Sequence, residues 1–370
     1  MDLSSELVHS LLPLMLVGSL GASVFTVGLL EGLAEATALI VKVFSGAVSD
    51  FLGRRKGLLL FGYGLAALTK PMFPLATSVQ LVFAARLLDR VGKGIRGAPR
   101  DALVADVSPP EIRGAAFGLR QSMDTVGAFL GPLAAVGLML AYAGNIQSVL
   151  WWAVLPALLC LALIVFGVSE PEGLSAGAKH FRSPLSRAAL RQFPARYWWL
   201  LSVAAVMTLA RFSEAFLLLR AQQLGLANTW VPLVMVLMSL AYLLSAYPAG
   251  VLSDRLNRAH LLAAGLLILV AADLALAYAG SLIWLGAGVV LWGLHMGLTQ
   301  GILAAMIADI APAESKGTAF GLFGFVTGLA VLLASVLAGF LWDHYGAAST
   351  FMAGAAISTA AVAMLLREGS

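Results

Sequence analysis

Between Arg86 and Asp106 the chain reads RLLDRVGKGIRGAPRDALVAD, concentrating charge in a protein whose charged content is only 11%. Residues three and four apart are neighbours on a helix, so Arg86, Arg90, Lys93 and then Arg96 or Arg100 share one side. The apolar stretches on either side, VQLVFAA and the run after Gly114, make this a membrane span. Cations at bilayer depth are tolerated where they face a water-filled cavity or partner charges. A row of them can receive a carboxylate or phosphate, so this helix reads as one wall of a translocation pathway.

Acids stand nearby in sequence patterns that could serve such a pathway. Glu31, Glu35 and Lys42 lie along one face of LLEGLAEATALIVK, Asp2 and Glu6 open the chain, and Arg211 and Glu214 fall in a later apolar run. Burial favours the neutral form of a carboxyl, which lets it take up and release protons at working pH. Glu6, Glu31, Glu35, Asp124 and Glu214 are therefore candidates for proton coupling. The same acids could instead neutralise the cations in fixed pairs, with Arg120 and Asp124 at the i,i+4 spacing. Both readings stand at this point. On a later helix Trp292, His295, Thr299 and Gln300 make a polar face, and a histidine ordinarily titrates close to neutrality. The solute-facing candidates are Arg90, Lys93, Arg96, Arg100, Arg120, Gln121, Asp124, Trp292, His295 and Gln300. Lys70 and Arg220, near span ends, are expected to snorkel.

The elements that must position these residues are long apolar helices. The chain has 370 residues, 60% of them hydrophobic, and a mean hydropathy of +0.92. That composition implies an all-α polytopic membrane protein; a barrel would alternate over segments of ~10 residues. Apolar runs of spanning length (~20 residues) lie near 25–49, 58–75, 79–107, 114–142 and 149–168. They resume at 198–219, 231–252, 261–278, 283–310, 319–342 and 349–366, and with a short one at 5–20 they number twelve. The net charge of +4 is accounted for by loops and does not imply nucleic-acid binding. A single cysteine, Cys160, excludes an intrachain disulfide framework and a thiolate metal cluster. No metal ligand set, nucleophile–base pair or phosphate-binding loop of the G-x-x-x-x-G-K-S/T type is visible, so neither an enzyme nor a cofactor is expected. The acidic start MDLSSELVHS lacks the basic region of a signal peptide.

The chain repeats itself. ADVSPPEIRGAAFGL at 105–119 matches ADIAPAESKGTAFGL at 308–322 at nine of fifteen positions, and GAVSDFLGRRKG at 46–57 matches GVLSDRLNRAHL at 250–261. The polar stretch 169–196 therefore divides two six-helix bundles, residues 1–168 and 197–370. By this repeat Met1 falls opposite Leu209, inside the seventh span, so the first helix is expected to be truncated and the native start to lie upstream. Asp106 and Glu111 recur as Asp309 and Glu314, which marks them as scaffold and gate. Arg90, Lys93, Arg96 and Arg100 fall opposite Gly293, Met296, Thr299 and Leu303, while Arg120 and Asp124 fall opposite Phe323 and Thr327. Charges without a mirror image are not required by the fold. Lys and Arg crowd alternate connections and the central stretch, which by the positive-inside rule makes both termini cytoplasmic in an inner membrane.

At GAVSDFLGRR the chain resembles the major facilitator superfamily, whose first hairpin between helices 2 and 3 carries this pattern at Gly46, Asp50, Gly53, Arg54 and Arg55. The second copy keeps Gly250, Asp254 and Arg258 but has Asn257 in place of the glycine. The resemblance implies the superfamily (MFS) fold, with 12 transmembrane helices in two pseudo-symmetric bundles that expose a central site alternately to each side. It also implies a latch at Asp50 that meets a helix N-terminus or an arginine across the bundle seam. Gly127, Gly131 and Pro132 resemble an element that the superfamily associates with antiporters; ordinary close packing would use the same residues. The expected function is proton-coupled secondary transport of a small organic solute, export by antiport of an anionic or drug-like compound being favoured. Uptake by symport is the alternative, and a non-transporting, transporter-like sensor is the alternative of another class. The expected partners are solute, protons and the lipid bilayer, with no nucleic acid, and the chain is expected to be monomeric.

Overall fold

The computed structural model describes residues 1–370 apart from Gly53, 110–111, 171–192, Asp254, 312–315 and 368–370. For Asp50, 113–115, Ala308, 316–317 and Arg367 it describes the backbone alone. The first bundle consists of α1 (Asp2–Leu14), α2 (Val24–Leu52), α3 (Lys56–Thr69), α4 (Val79–Val107), α5 (Arg113–Ala141), α6 (Ile146–Trp151) and α7 (Val154–Gly167). The second consists of α8 (Ala195–Ala210), α9 (Ala215–Gln223), α10 (Leu233–Ser253), α11 (Arg258–Ala277), α12 (Leu282–Ile310), α13 (Lys316–Tyr345) and α14 (Ala347–Arg367). Helices satisfy every backbone group internally, which is the requirement lipid imposes on apolar sequence. Nine of the described helical spans are long and apolar enough to cross a membrane. The other three of the expected twelve, residues 2–19, 56–72 and the charged α4, are short or polar; α1 packs chiefly on α5, α4 on α2, and α3 on α4.

Local chemistry sets the ends. Ser78 and Asn145 accept hydrogen bonds from Leu81 N–H (3.3 Å) and Ser148 N–H (3.0 Å) at the starts of α4 and α6. Gly144, Gly225 and Gly346 take positive φ where α5, α9 and α13 give out, the left-handed turn that closes a helix without strain on a side chain. Two spans differ from the continuous helices expected. The sixth is interrupted between α6 and α7, with Pro156 in the first turn of α7, where a missing N–H costs nothing. The seventh breaks at 211–214, where the Ser213 hydroxyl accepts from Ala215 N–H (3.2 Å) and so competes with helical continuation.

The two bundles join at one end only. A single core, containing Leu11, Leu16 and Phe73 of the first bundle and Phe212, Phe216 and Phe351 of the second, fills the half of the molecule away from the 169–196 connection. On the connection side each bundle has its own core, around Leu59, Tyr63 and Ile164 in one and around Leu200, Leu266 and Ile307 in the other. The seam between α2 and α13 follows the same gradient. A Cβ at Gly339 would lie 2.7 Å from Phe25 Cα, whereas one at Gly324 would clear Val43 by 3.7 Å. Asp343, at the far end of α13, accepts from Val24 N–H (3.2 Å) and Phe25 N–H (2.9 Å), closing the far side through the first turn of α2. The cleft is thus shut on the far side and open on the connection side.

Removing this clasp should loosen the far side. In a Cys160→Ser background, a cysteine placed at the buried Ser335 should be alkylated up to about tenfold faster once Asp343→Ala is added, the scale of a lost charge-assisted hydrogen bond. An unchanged rate would show that the clasp does not hold the seam.

Candidate functional site

The charged residues of the first bundle form a ladder descending from the sealed end to the open cleft. At the top Arg86 and Glu31 pair at 2.7 Å, each side chain 1% exposed. His9 stands between two carboxyls, with Nδ1 3.4 Å from Glu6 and Nε2 3.5 Å from Glu31. Beside it Lys70 bonds Asp89 (2.8 Å) and the Ser5 hydroxyl (3.1 Å), fully buried. Lys70 therefore does not snorkel, because the acid on α4 holds its ammonium inside the bundle. Arg220, half-buried, donates to the carbonyls of Leu276 (3.2 Å), Ala277 (3.4 Å) and Ala279 (3.0 Å) where α11 ends.

At mid-depth Glu35 is held by Arg90 at 3.2 Å and Lys93 at 3.8 Å. Arg90 is buried, but the side chains of Lys93 and Glu35 remain 44% and 33% exposed, so solvent reaches this point of the cleft. Toward the mouth Arg120 contacts Asp101 (3.1 Å) and Asp124 (3.3 Å), Arg100 contacts Asp124 (3.3 Å), and Lys42 contacts Asp101 (3.3 Å). Arg120 also donates to Gln121 (2.9 Å). Arg96 departs from this row. It is buried with its guanidinium 4.5 Å above the Tyr63 ring and has no carboxylate within 4.0 Å among the described residues. Six residues of helix rotate it about 120° from Arg90, toward α3 and away from α2.

The second bundle contributes little charge to the cleft. Trp292 and His295 are buried, Trp292 against Phe212 (5.3 Å between ring centres) and His295 with Nδ1 2.9 Å from the Gly265 carbonyl, while Gln300 is exposed. Glu214 sits half-buried at the break in the seventh span with no ion pair among the described residues. His9 escaped the sequence reading although its i,i+3 spacing from Glu6 was visible. Asp273 also escaped, although it is the one acid within α11.

At the hairpins, Arg55 Nε lies 3.3 Å from Asp106 and its guanidinium bonds Ser49, while Arg258 pairs with Asp309 at the mirror position. Both pairs lie within a bundle. The backbone N–H groups of Arg55 and Lys56 donate to Glu170, an acid at the start of α3. Arg54 is exposed; Gly46 packs near Ala98 and Gly250 faces open space. Gly53, Glu111, Asp254, Glu314 and the Asp50 side chain lie outside the described residues. In the helix 5 element a Cβ at Gly127 would lie 2.9 Å from Asp2 Cβ and one at Gly131 2.8 Å from the Leu3 carbonyl, so both glycines let α5 press on α1. Pro132 is buried beside them.

Comparison with known proteins agrees with this architecture. The family model described as Major Facilitator Superfamily matches residues 1–231 and 200–369. An uncharacterised MFS-type transporter of Methanocaldococcus jannaschii is 31% identical over 99% of this chain and 91% of its own length. Among solved structures, a variant of the nucleoside transporter NupG superposes with a TM-score of 0.80 at 13% identity, covering 99% of this chain and 97% of that one. The human organic anion transporter MFSD10 gives 0.68 at 21% identity, covering 98% and 96%. The chain belongs to the major facilitator superfamily of transporters.

Proposed function

We propose that the protein is a proton-coupled carrier of a small organic anion, working monomerically in the inner membrane with both termini cytoplasmic and seen here open to the cytoplasm. The observation that carries this reading is Glu35 clamped between Arg90 and Lys93 at the solvent-reached depth of the cleft. While Glu35 is ionised, both cations are occupied. A proton placed on Glu35 releases them, and an anionic solute group can take the vacated charge. Proton and anion then favour each other's binding, and this coupling is reciprocal by necessity. The arrangement supports symport of proton and anion over the antiport that the helix 5 glycines suggested, since those glycines are accounted for by packing. The net charge of the ladder agrees: the eight cations Lys42, Lys70, Arg86, Arg90, Lys93, Arg96, Arg100 and Arg120 face seven acids, Asp2, Glu6, Glu31, Glu35, Asp89, Asp101 and Asp124.

Thermal stabilisation of the purified protein tests the proposal with benzoate, citrate and inorganic phosphate against tetraphenylphosphonium at two pH values. A ligand at a hundredfold excess over its Kd stabilises by about 2.7 kcal/mol. Stabilisation by an anion should be stronger at the lower pH by a factor of about 5–150 in affinity. It should vanish in Lys93→Ala, and in Glu35→Gln it should persist but lose its pH dependence. Stabilisation by the cation alone, strongest at the higher pH, would instead make the protein an antiporter of cationic solutes.

A further inference from the structure

The second bundle buries a carboxyl that takes no part in the ladder. Asp273 lies within α11 at 0% exposure, and neither carboxyl oxygen has a hydrogen-bond partner among the described residues. Its surroundings are apolar and tight: a Cβ at Gly354 of α14 would lie 2.6 Å from Oδ2 and 3.2 Å from the Phe212 ring. The internal repeat sharpens the anomaly. Lys70, Asp89 and Ser5 form a satisfied triad in the first bundle, and their mirror positions are Asp273, Trp292 and Ser213. The acid that balances Lys70 has become a tryptophan whose indole nitrogen also lacks a partner among the described residues, and the lysine has become an acid. The second bundle thus retains a lone carboxyl in a tight apolar site. An isolated carboxylate in a dry site is prohibitively costly, so the group holds a proton instead.

The titratable groups on the neighbouring elements do not alter this. His295 of α12 is engaged with the Gly265 carbonyl, and Arg220 of α9 is engaged with carbonyls at the end of α11. Arg211 and Glu214 flank the break between α8 and α9. Among the described residues none of these groups reaches the Asp273 carboxyl with a hydrogen bond. That break places non-helical backbone at 211–214 directly beside the site, because Phe212 contacts both Gly354 and Trp292.

From this geometry we infer that Asp273 is a second proton-binding site, in the bundle opposite Glu35, loaded in the conformation seen here and emptied when the seventh span repacks. The carboxylate takes its proton from water on one face of the membrane, and the acid returns it to water on the other as Phe212 moves off Gly354. This rests on the transporter reading, but its test needs no solute and no flux. Infrared difference spectra of the full-length protein in liposomes, recorded between pH steps in H2O and D2O, report protonated carboxyls directly through the C=O stretch. The wild-type protein should show a deuteration-sensitive carboxyl band that gains and loses intensity with pH and shifts when aspartate is labelled with 13C at its side-chain carbon. Asp273→Asn should remove that band while leaving the changes from glutamate unaltered, and Asp273→Glu should restore a band at a displaced frequency. A labelled-aspartate band that is absent, or present but constant across the pH range, overturns the inference even if Asp273→Asn fails to fold. An unchanged band in a folded Asp273→Asn protein overturns it equally. Failure of the solute panel together with a titrating Asp273 band would remove the anion reading and leave this site standing.

Discussion

Glu31→Leu is expected to destabilise the protein by about 3–5 kcal/mol, the cost of leaving one member of a buried ion pair without the other. Arg86 is 1% exposed, and the one carboxylate within ion-pair distance of it is Glu31 at 2.7 Å among the described residues. The leucine removes that partner and also leaves His9 Nε2 facing hydrocarbon in place of a carboxylate. The pair is expected to matter for specificity more than for net stability. Replacing both members, Glu31→Leu with Arg86→Met, should recover most of the loss, since well-packed apolar residues are often as stable as the pair they replace. Denaturation of the two single variants and the double variant in detergent closes the cycle. A double variant as unstable as Glu31→Leu alone would mean that packing around Glu31, not the unpaired arginine, sets the cost.

The contrast between Arg86 and Lys93 shows how far the sequence reaches. That α4 carries cations on one side, and that α2 carries Glu31 and Glu35 along one face, follows from spacing alone. The i,i+4 relation of Arg120 and Asp124 likewise becomes a 3.3 Å contact. What spacing cannot say is how exposed each pair is. Arg86 and Lys93 are seven residues apart on nearly the same face, yet one lies in the sealed half and the other in the open cleft. The difference comes from the bundles meeting at one end, a property of the whole molecule in one conformation.

Arg96 shows a second limit, since a stripe defined by three- and four-residue steps is wide enough to span two neighbouring helices. His9 and Asp273 show a third. Asp273 is a lone polar residue in apolar sequence and His9 shows in sequence only its spacing from Glu6; the packing of other helices reveals that His9 also meets Glu31 while Asp273 has no partner among the described residues. The repeat had the information to single out Asp273, because its mirror position holds a lysine. Comparing the halves for charges of opposite sign, as well as for missing charges, would have found it.

Gly28→Val is expected to hold the protein open on the far side. A Cβ at Gly28 would overlap the Ser335 carbonyl oxygen and come within 3.1 Å of the Phe216 ring, while Gly32 one turn on would meet Leu332 Cα at 3.1 Å. Overpacking a core costs about 1–3 kcal/mol when neighbours can shift. A backbone carbonyl within α13 cannot rotate away, so the upper end applies. That energy is spent only in the closed-far-side conformation, because separation of α2 from α13 removes the contact altogether. A penalty confined to one state shifts the balance between states, here by about a hundredfold at 3 kcal/mol. A cysteine at Leu332 in the Cys160→Ser background should then be alkylated from the far side at a rate raised by that order, with the protein still folded and monodisperse. If the valine variant is instead as protected as the parent, α2 and α13 do not separate at Gly28, and the hinge of alternating exposure must lie elsewhere along the seam.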